Sequence, residues 1–194
     1  MTKESLPMDA LTALNTRRSV KPKELGVGPG PSDADLQTIL TIGTRVPDHG
    51  KLCPWRIVVL KGEGQQKLGA IAAAQWEKLQ GPLNDAQRAH EQQRFARAPL
   101  VLAVLSTPKE SVKAPRWEQE LSAGAVCMNI LHAAHALGYG ASWLSEWVGI
   151  DAAIIKALGG DIDTKIAGFI YMGEKTTTPD DRERPKLEDV VTYF

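Results

Sequence analysis

The chain has 194 residues, 43% of them hydrophobic, and its 23 basic and 23 acidic side chains leave a formal net charge of +0. That balance excludes the basic excess by which proteins hold a nucleic-acid backbone, so no nucleic-acid partner is expected. No apolar stretch nears the ~18 residues that span a membrane, and the N-terminal segment lacks the apolar centre of a signal peptide, so a cytoplasmic protein without a membrane partner is expected.

Taken in chain order, the pattern predicts a first helix over Leu6 to Arg17, with Met8, Leu11 and Leu14 recurring at three-residue spacing and Pro7 in its first turn. Val20 to Pro31 is rich in glycine and proline and reads as a loop. Ser32 caps a second helix, with Asp35 three residues on, Leu36, Ile39 and Leu40 facing inward and Gly43 at its end. An irregular stretch from Arg45 to Pro54 leads into a strand over Trp55 to Leu60. A third helix runs from Gln65 to Leu79 and stops at Gly81-Pro82; a polar helix covers Asp85 to Arg97. Leu100 to Leu105 is a continuous apolar run, the mark of a strand buried on both faces. Trp117 to Leu137 is the longest helix, Ala141 to Trp147 is extended, Ala152 to Leu158 is a short helix and Ile166 to Met172 a strand. A polar tail from Lys175 to Lys186 ends in the β-prone Val190 to Phe194. No repeat or linker divides the chain, so residues 1–194 read as a single domain of the α/β or α+β layered type.

The residues that could carry chemistry form four clusters. Arg17-Arg18-Ser19 offers two guanidiniums and a hydroxyl to an oxyanion, although cations also simply favour a helix C-terminus. Arg45-Val46-Pro47-Asp48-His49-Gly50 is a polar segment before a strand, where Asp48 could equally bond its own backbone. Pro115-Arg116-Trp117-Glu118-Gln119-Glu120 opens the long helix, and helix-dipole complementarity alone would account for its acids. Gly138 to Ser145 joins that helix to a strand through two glycines, a place where backbone can approach a ligand. There is no glycine-rich nucleotide loop in the right context: Gly26-Val27-Gly28-Pro29-Gly30 follows no strand. His132 and His135 share a helix face without a carboxylate at ligand spacing, so no metal is expected. Two distant cysteines make no disulfide framework; Cys127 reads as a core residue and Cys53 as a partly buried spectator.

In this order and spacing the clusters resemble the nitroreductase family of FMN-dependent oxidoreductases. The resemblance runs from Arg17 to Phe194 and is greatest to a small bacterial subgroup with Arg-Arg-Ser, Pro-Asp-His, Pro-Arg-Trp-Glu-Gln-Glu and a Val-Thr-Tyr-Phe terminus. It implies an α+β three-layer sandwich, a central and mainly antiparallel sheet with helices on both faces. It also implies a homodimer that exchanges C-terminal strands and holds FMN at its interface. By the same resemblance, Arg17, Arg18 and Ser19 bind the phosphate and ribityl end. Arg45 and His49 contact the flavin from the other subunit, with Arg45 near N1 and the C2 carbonyl. Trp143, Leu144 and Ser145 lie beside the isoalloxazine. Ala133, Ala134, His135, Ala136, Leu137 and Gly138 meet the nicotinamide nucleotide. The implied reaction is ping-pong hydride transfer from NAD(P)H to nitroaromatic or quinone-like acceptors, with no catalytic side chain because flavin N5 does the chemistry. The subgroup has arginine where this chain has Leu144, which motivates the alternative of a flavin-storage protein with little turnover. Lys175, Arg182 and Arg184 are equally placed as a further cation for the phosphate.

Overall fold

The computed structural model describes residues 9–194. Four strands, β1 (Trp55–Leu60), β2 (Leu100–Ser106), β3 (Gly140–Leu144) and β4 (Lys165–Gly173), form one sheet in the order β1-β2-β4-β3, every pair antiparallel. Around it lie α1 (Ala10–Thr16), α2 (Asp33–Gly43), α3 (Glu63–Gln80), α4 (Asp85–Gln92), α5 (Arg116–Ala136), α6 (Ala152–Ala157) and the single turn α7 (Leu187–Val190).

The sandwich follows from the alternation of side chains along a strand. On β2, Val101, Ala103 and Leu105 point to one face, where they pack with Leu68 and Ala72 of α3, Ile154 of α6, and Phe95, Phe169 and Tyr171. Leu100, Leu102 and Val104 point to the other, against Ile39 of α2 and Val126, Cys127 and Ile130 of α5. With helices on both faces, every residue of β2 is buried, which is why Leu100 to Leu105 are apolar without interruption. The expected α+β three-layer architecture is therefore the observed one.

Local signals place most boundaries. Ser32 caps α2, its Oγ accepting from the Asp35 amide at 3.1 Å. The first helix is shorter than expected: Asp9 is extended and its carboxylate accepts from the Thr12 amide, so α1 starts at Ala10. Leu6, Pro7 and Met8 lie outside the described residues. The polar helix ends at Gln92 and continues as a 3-10 turn, Arg94–Ala96. The β-prone terminus forms no strand here. Leu187–Val190 is helical, and Val191, Tyr193 and Phe194 are exposed, because no sheet edge of the same chain reaches them and a strand needs a partner. No helix among the described residues is long and apolar enough to cross a membrane.

Gly69 sets the closeness of α3 to the end of α4: a Cβ added there would stand 2.0 Å from the Gln92 carbonyl oxygen. Alanine ordinarily favours a helix over glycine by about 0.5–1 kcal/mol. Here the clash is with backbone, which cannot swing away, so overpacking should win and Gly69→Ala should destabilise by about 1–3 kcal/mol. Urea unfolding monitored by circular dichroism checks the sign; an unchanged or higher midpoint would contradict the packing.

Candidate functional site

The residues singled out by sequence fall into two places, set by the two ends of α5. At its C-terminal end, the Val20 amide donates to the Ala141 carbonyl at 3.0 Å and holds the Arg17-Arg18-Ser19 segment along the outer edge of β3. Arg17 caps α1 with its backbone and is half-buried; its Nη1 is buried without a hydrogen-bond partner. Burial, then Arg184, Arg18 and Arg182, pull its pKa below the usual value, so these side chains converge. Arg18 Nε donates to the Asp180 carbonyl at 2.8 Å and lies 3.5 Å from Asp181, which also takes a bond from Arg184 at 2.8 Å. The polar tail thus returns to the end of α1. Ser19 is exposed beside it.

From α5, His132 and His135 face the same recess. His132 Nδ1 is buried without a partner, and His135 Nε2 lies 3.2 Å from the Thr16 hydroxyl. Both imidazoles are held below their ordinary pKa, His132 by burial and then Arg17, His135 by burial and then Lys175, Arg17 and His132. The basic residues left undecided by sequence are all here: Arg182 and Arg184 act on Arg17, and Lys175 acts on His135. The charges that act on Arg17, His132 and His135 are all positive, and a phosphate dianion is the kind of group that would balance them.

At the N-terminal end of α5, His49 Nδ1 lies 2.9 Å from Glu118 Oε2. Trp55 Nε1 donates to Ser122 Oγ at 3.1 Å, and that hydroxyl donates to the Pro47 carbonyl at 2.6 Å. Pro47, His49, Glu118, Leu121, Ser122 and Ala125 line a cavity of about 320 Å³. Asp48 does not face it. Its carboxylate accepts from the Leu52 and Cys53 amides at 3.0 and 2.9 Å and shapes the turn, as the local reading of that residue allows. Arg45 is exposed, its carbonyl held by Asn129 Nδ2 at 2.8 Å. Cys53 is exposed rather than partly buried, and Cys127 lies in the core, where burial pushes its thiol up to about 12. A larger open cavity of about 660 Å³ lies between α6 and the start of β4, around Ile155, Lys156, Thr164 and Lys165, and none of the residues flagged from sequence lines it.

Trp143 stands between the two ends. The β2–β4 register slips after Val104, whose partner is Gly168 while Leu105 pairs with Ile166, so Ala167 has no partner on β2. Its carbonyl accepts from Trp143 Nε1 at 2.9 Å, and the indole lies over Gly168, where a Cβ would stand 2.0 Å from Nε1. A β-bulge that re-aims a side chain beside a site is a recurrent device. Trp143 lies on the α5 side, near Gly124, and Leu144, the next residue, points to the opposite face and packs into the core under α3 and α6. Ser145 is exposed. Beyond it, Glu146 adopts φ 52° and takes bonds from Arg97 Nη2 at 2.6 Å and Arg94 Nη1 at 3.0 Å, while Arg94 also pairs with the buried Glu91. This ionic network ties the turn after Trp143 to the end of α4. Sequence reading missed it, and the available signal was a glutamate and an arginine three apart in a polar helix.

The expected nicotinamide segment is divided. Ala133 and Ala134 are 3% and 0% exposed and belong to the core, so their side chains offer no surface to a nucleotide. Gly138, at φ 89°, closes α5: its amide bonds the His135 carbonyl and the Tyr139 amide bonds that of Ala134, a Schellman ending. Gly140 makes room for Lys175, Leu25 and Val20. These two glycines serve a helix cap and chain packing. Nor does one chain gather all the flagged residues: α5 has 21 residues and so spans ~30 Å, with His49 near its start, Arg45 beside Asn129 in its second half, and Arg17 and His135 near its end.

Fold and recess together define an α+β sandwich with a cation-rich recess made of side chains at its rim. The family pattern described as "Nitroreductase family" matches residues 14–174. YdjA of Escherichia coli (strain K12), which carries a provisional name as an NAD(P)H nitroreductase, is 38% identical over 96% of this chain and 100% of its own length. The crystal structure of a nitroreductase-like family protein from Bacillus cereus superposes with TM-score 0.78 at 19% identity, covering 98% of both chains. That of the FMN and NADPH-dependent nitroreductase NfnB from sphigopyxis sp. strain HMH superposes with TM-score 0.72 at 20% identity, covering 96% of this chain and 99% of its own. The chain belongs to the nitroreductase family.

The network at Glu146 carries a pH signature. Burial raises its pKa, but the bonds and charges of Arg97 and Arg94 outweigh that and hold it below the usual value. Its contribution to stability is therefore present above the unfolded-state pKa of about 4.3 and is lost as pH falls through the folded value. Glu146→Gln should lower stability near neutrality and shallow its fall between about pH 5 and pH 3. Denaturant midpoints over that range check this; parallel curves for the two proteins would refute it.

Proposed function

We propose that the protein is an FMN-dependent oxidoreductase that uses NAD(P)H to reduce nitroaromatic or quinone-like acceptors, acting as a single-domain cytoplasmic homodimer. The observation that carries this reading is the buried, unpartnered Nη1 of Arg17 in a recess crowded with cations. A buried donor left unpaired costs about 1–3 kcal/mol, which a phosphate would recover. NfnB, named for its dependence on FMN and NADPH, supports the choice of cofactor, and the name of YdjA supports the donor.

In this reading Arg17, Arg18 and Ser19 hold the phosphate and ribityl end, with Lys175, Arg182 and Arg184 adding charge. Trp143 and Ser145 border the ring, and Leu144 acts through the packing behind them. Arg45 and His49 reach the same flavin from the second subunit. The length of α5 favours that arrangement for His49, because it keeps His49 and Arg17 of one chain at opposite ends of the helix. Trp117 and Leu121, each 62% exposed on α5, form an apolar face suited to a subunit contact. The exposed Val190, Val191, Tyr193 and Phe194 suit exchange of the terminal segment. His135, Ala136, Leu137 and Gly138 are the part of the nicotinamide segment that retains surface.

FMN, when bound, supplies hydride acceptance and donation at N5. The side chains bind and orient, and the nicotinamide and the acceptor take turns in one space. The deciding measurement is the visible spectrum of the protein with FMN, before and after anaerobic NADPH or NADH. A bound-flavin spectrum that bleaches is expected; absence of flavin binding, or bound flavin that neither nucleotide bleaches, would refute the proposal. Arg17→Ala should lose a charge-assisted contact worth on the order of 1.5–3 kcal/mol, a roughly ten- to hundredfold rise in the FMN dissociation constant. Flavin-fluorescence titration checks it, and an unchanged constant would remove Arg17 from the site.

A further inference from the structure

Neither the fold nor the roles above use His132, and His135 enters them only within the nicotinamide segment. The two stand three residues apart on α5 and so share a helix face, turned to the end of α1. Two polar atoms in this recess are buried without partners, Arg17 Nη1 and His132 Nδ1. Building on the flavin reading, we infer that His132 and His135 complete the phosphate site and take up protons when the phosphate binds.

The groups that face the two imidazoles come from three elements. The end of α1 contributes Arg17 and the Thr16 hydroxyl, the segment after β4 contributes Lys175, and α5 contributes the imidazoles themselves. Behind Arg17 stand Arg18, Arg182 and Arg184, with Asp181 engaged by Arg18 and Arg184. Every charge that acts on either imidazole is positive, which together with burial favours the neutral rings. A phosphate monoester brings a charge of about −1.5 to −2 and three acceptor oxygens. It reverses the sign of the local field and rewards a ring that donates from both nitrogens. A ligand that raises a group's pKa binds more tightly as pH falls from the occupied-site pKa toward the empty-site pKa, by up to about tenfold per pH unit for each proton taken up.

The test is calorimetric titration of the flavin-free protein with FMN at pH 7.5, in buffers of different ionisation enthalpy, which reads the protons exchanged. At that pH the phosphate, with its second pKa near 6, is already a dianion, so uptake comes from the protein. Net proton uptake is expected with FMN and not with riboflavin, which lacks the phosphate. His132→Gln and His135→Gln should each reduce the uptake and flatten the rise in FMN affinity from pH 8.5 to pH 6.5. FMN binding without uptake, equal uptake with riboflavin, or pH profiles that neither substitution changes would overturn this inference and leave the flavin reading standing. Failure of the wild type to bind FMN at any pH would overturn both. The comparison of FMN with riboflavin uses the wild-type protein and decides the matter even if a variant does not fold.

Discussion

The burial of β2 and β4 between two helical layers governs the rest of the molecule. Strands covered on both faces have no surface to give to a ligand, so chemistry is displaced to the rim: the outer edge of β3, the loop before β1 and the two ends of α5. The same burial gives the rim its rigidity. Trp143 is aimed by a bulge in β4, and the cation-rich segment after α1 is fastened to β3 by a backbone bond from Val20.

Two groups of charges in the molecule obey opposite rules. Around Glu146, the guanidiniums of Arg94 and Arg97 meet carboxylates and a tyrosine hydroxyl, so their charge is matched. Such a network specifies structure, and breaking one member leaves an uncompensated charge. Around Arg17 the accounts do not balance: guanidiniums, imidazoles and a lysine converge with too few acceptors. Such a shortage is relieved where another group supplies the missing charge, which is the part the proposed phosphate would play.

Much of this was legible in the sequence, for identifiable reasons. The apolar run of β2, the Ser32 cap and the Gly81-Pro82 stop are local signals, and each falls where expected. The clusters at Arg17, His49 and Trp143 were legible as residues, but their grouping was not. Which cation of the tail returns to Arg17 depends on the path of the chain between residues 174 and 184. That Leu144 faces away from Trp143 follows from strand alternation once β3 is placed. Burial of Ala133 and Ala134 requires knowing which side of α5 meets the sheet, and the small residues around that helix blur its periodicity. The terminal segment was read from β-propensity alone, which is silent about whether a sheet edge lies within reach.

α5 also acts as a ruler. It is one uninterrupted helix whose first turn carries Glu118 and whose last turn carries His135. An inserted residue between them would turn one cluster by ~100° about the axis relative to the other, and a whole added turn would restore the bearing but lengthen the gap by ~5.4 Å. Neither change can be absorbed locally, because α5 is packed along the sheet. Length variation in descendants of this sequence should therefore collect in the glycine- and proline-rich loop between residues 21 and 31, while the helix evolves by substitution alone.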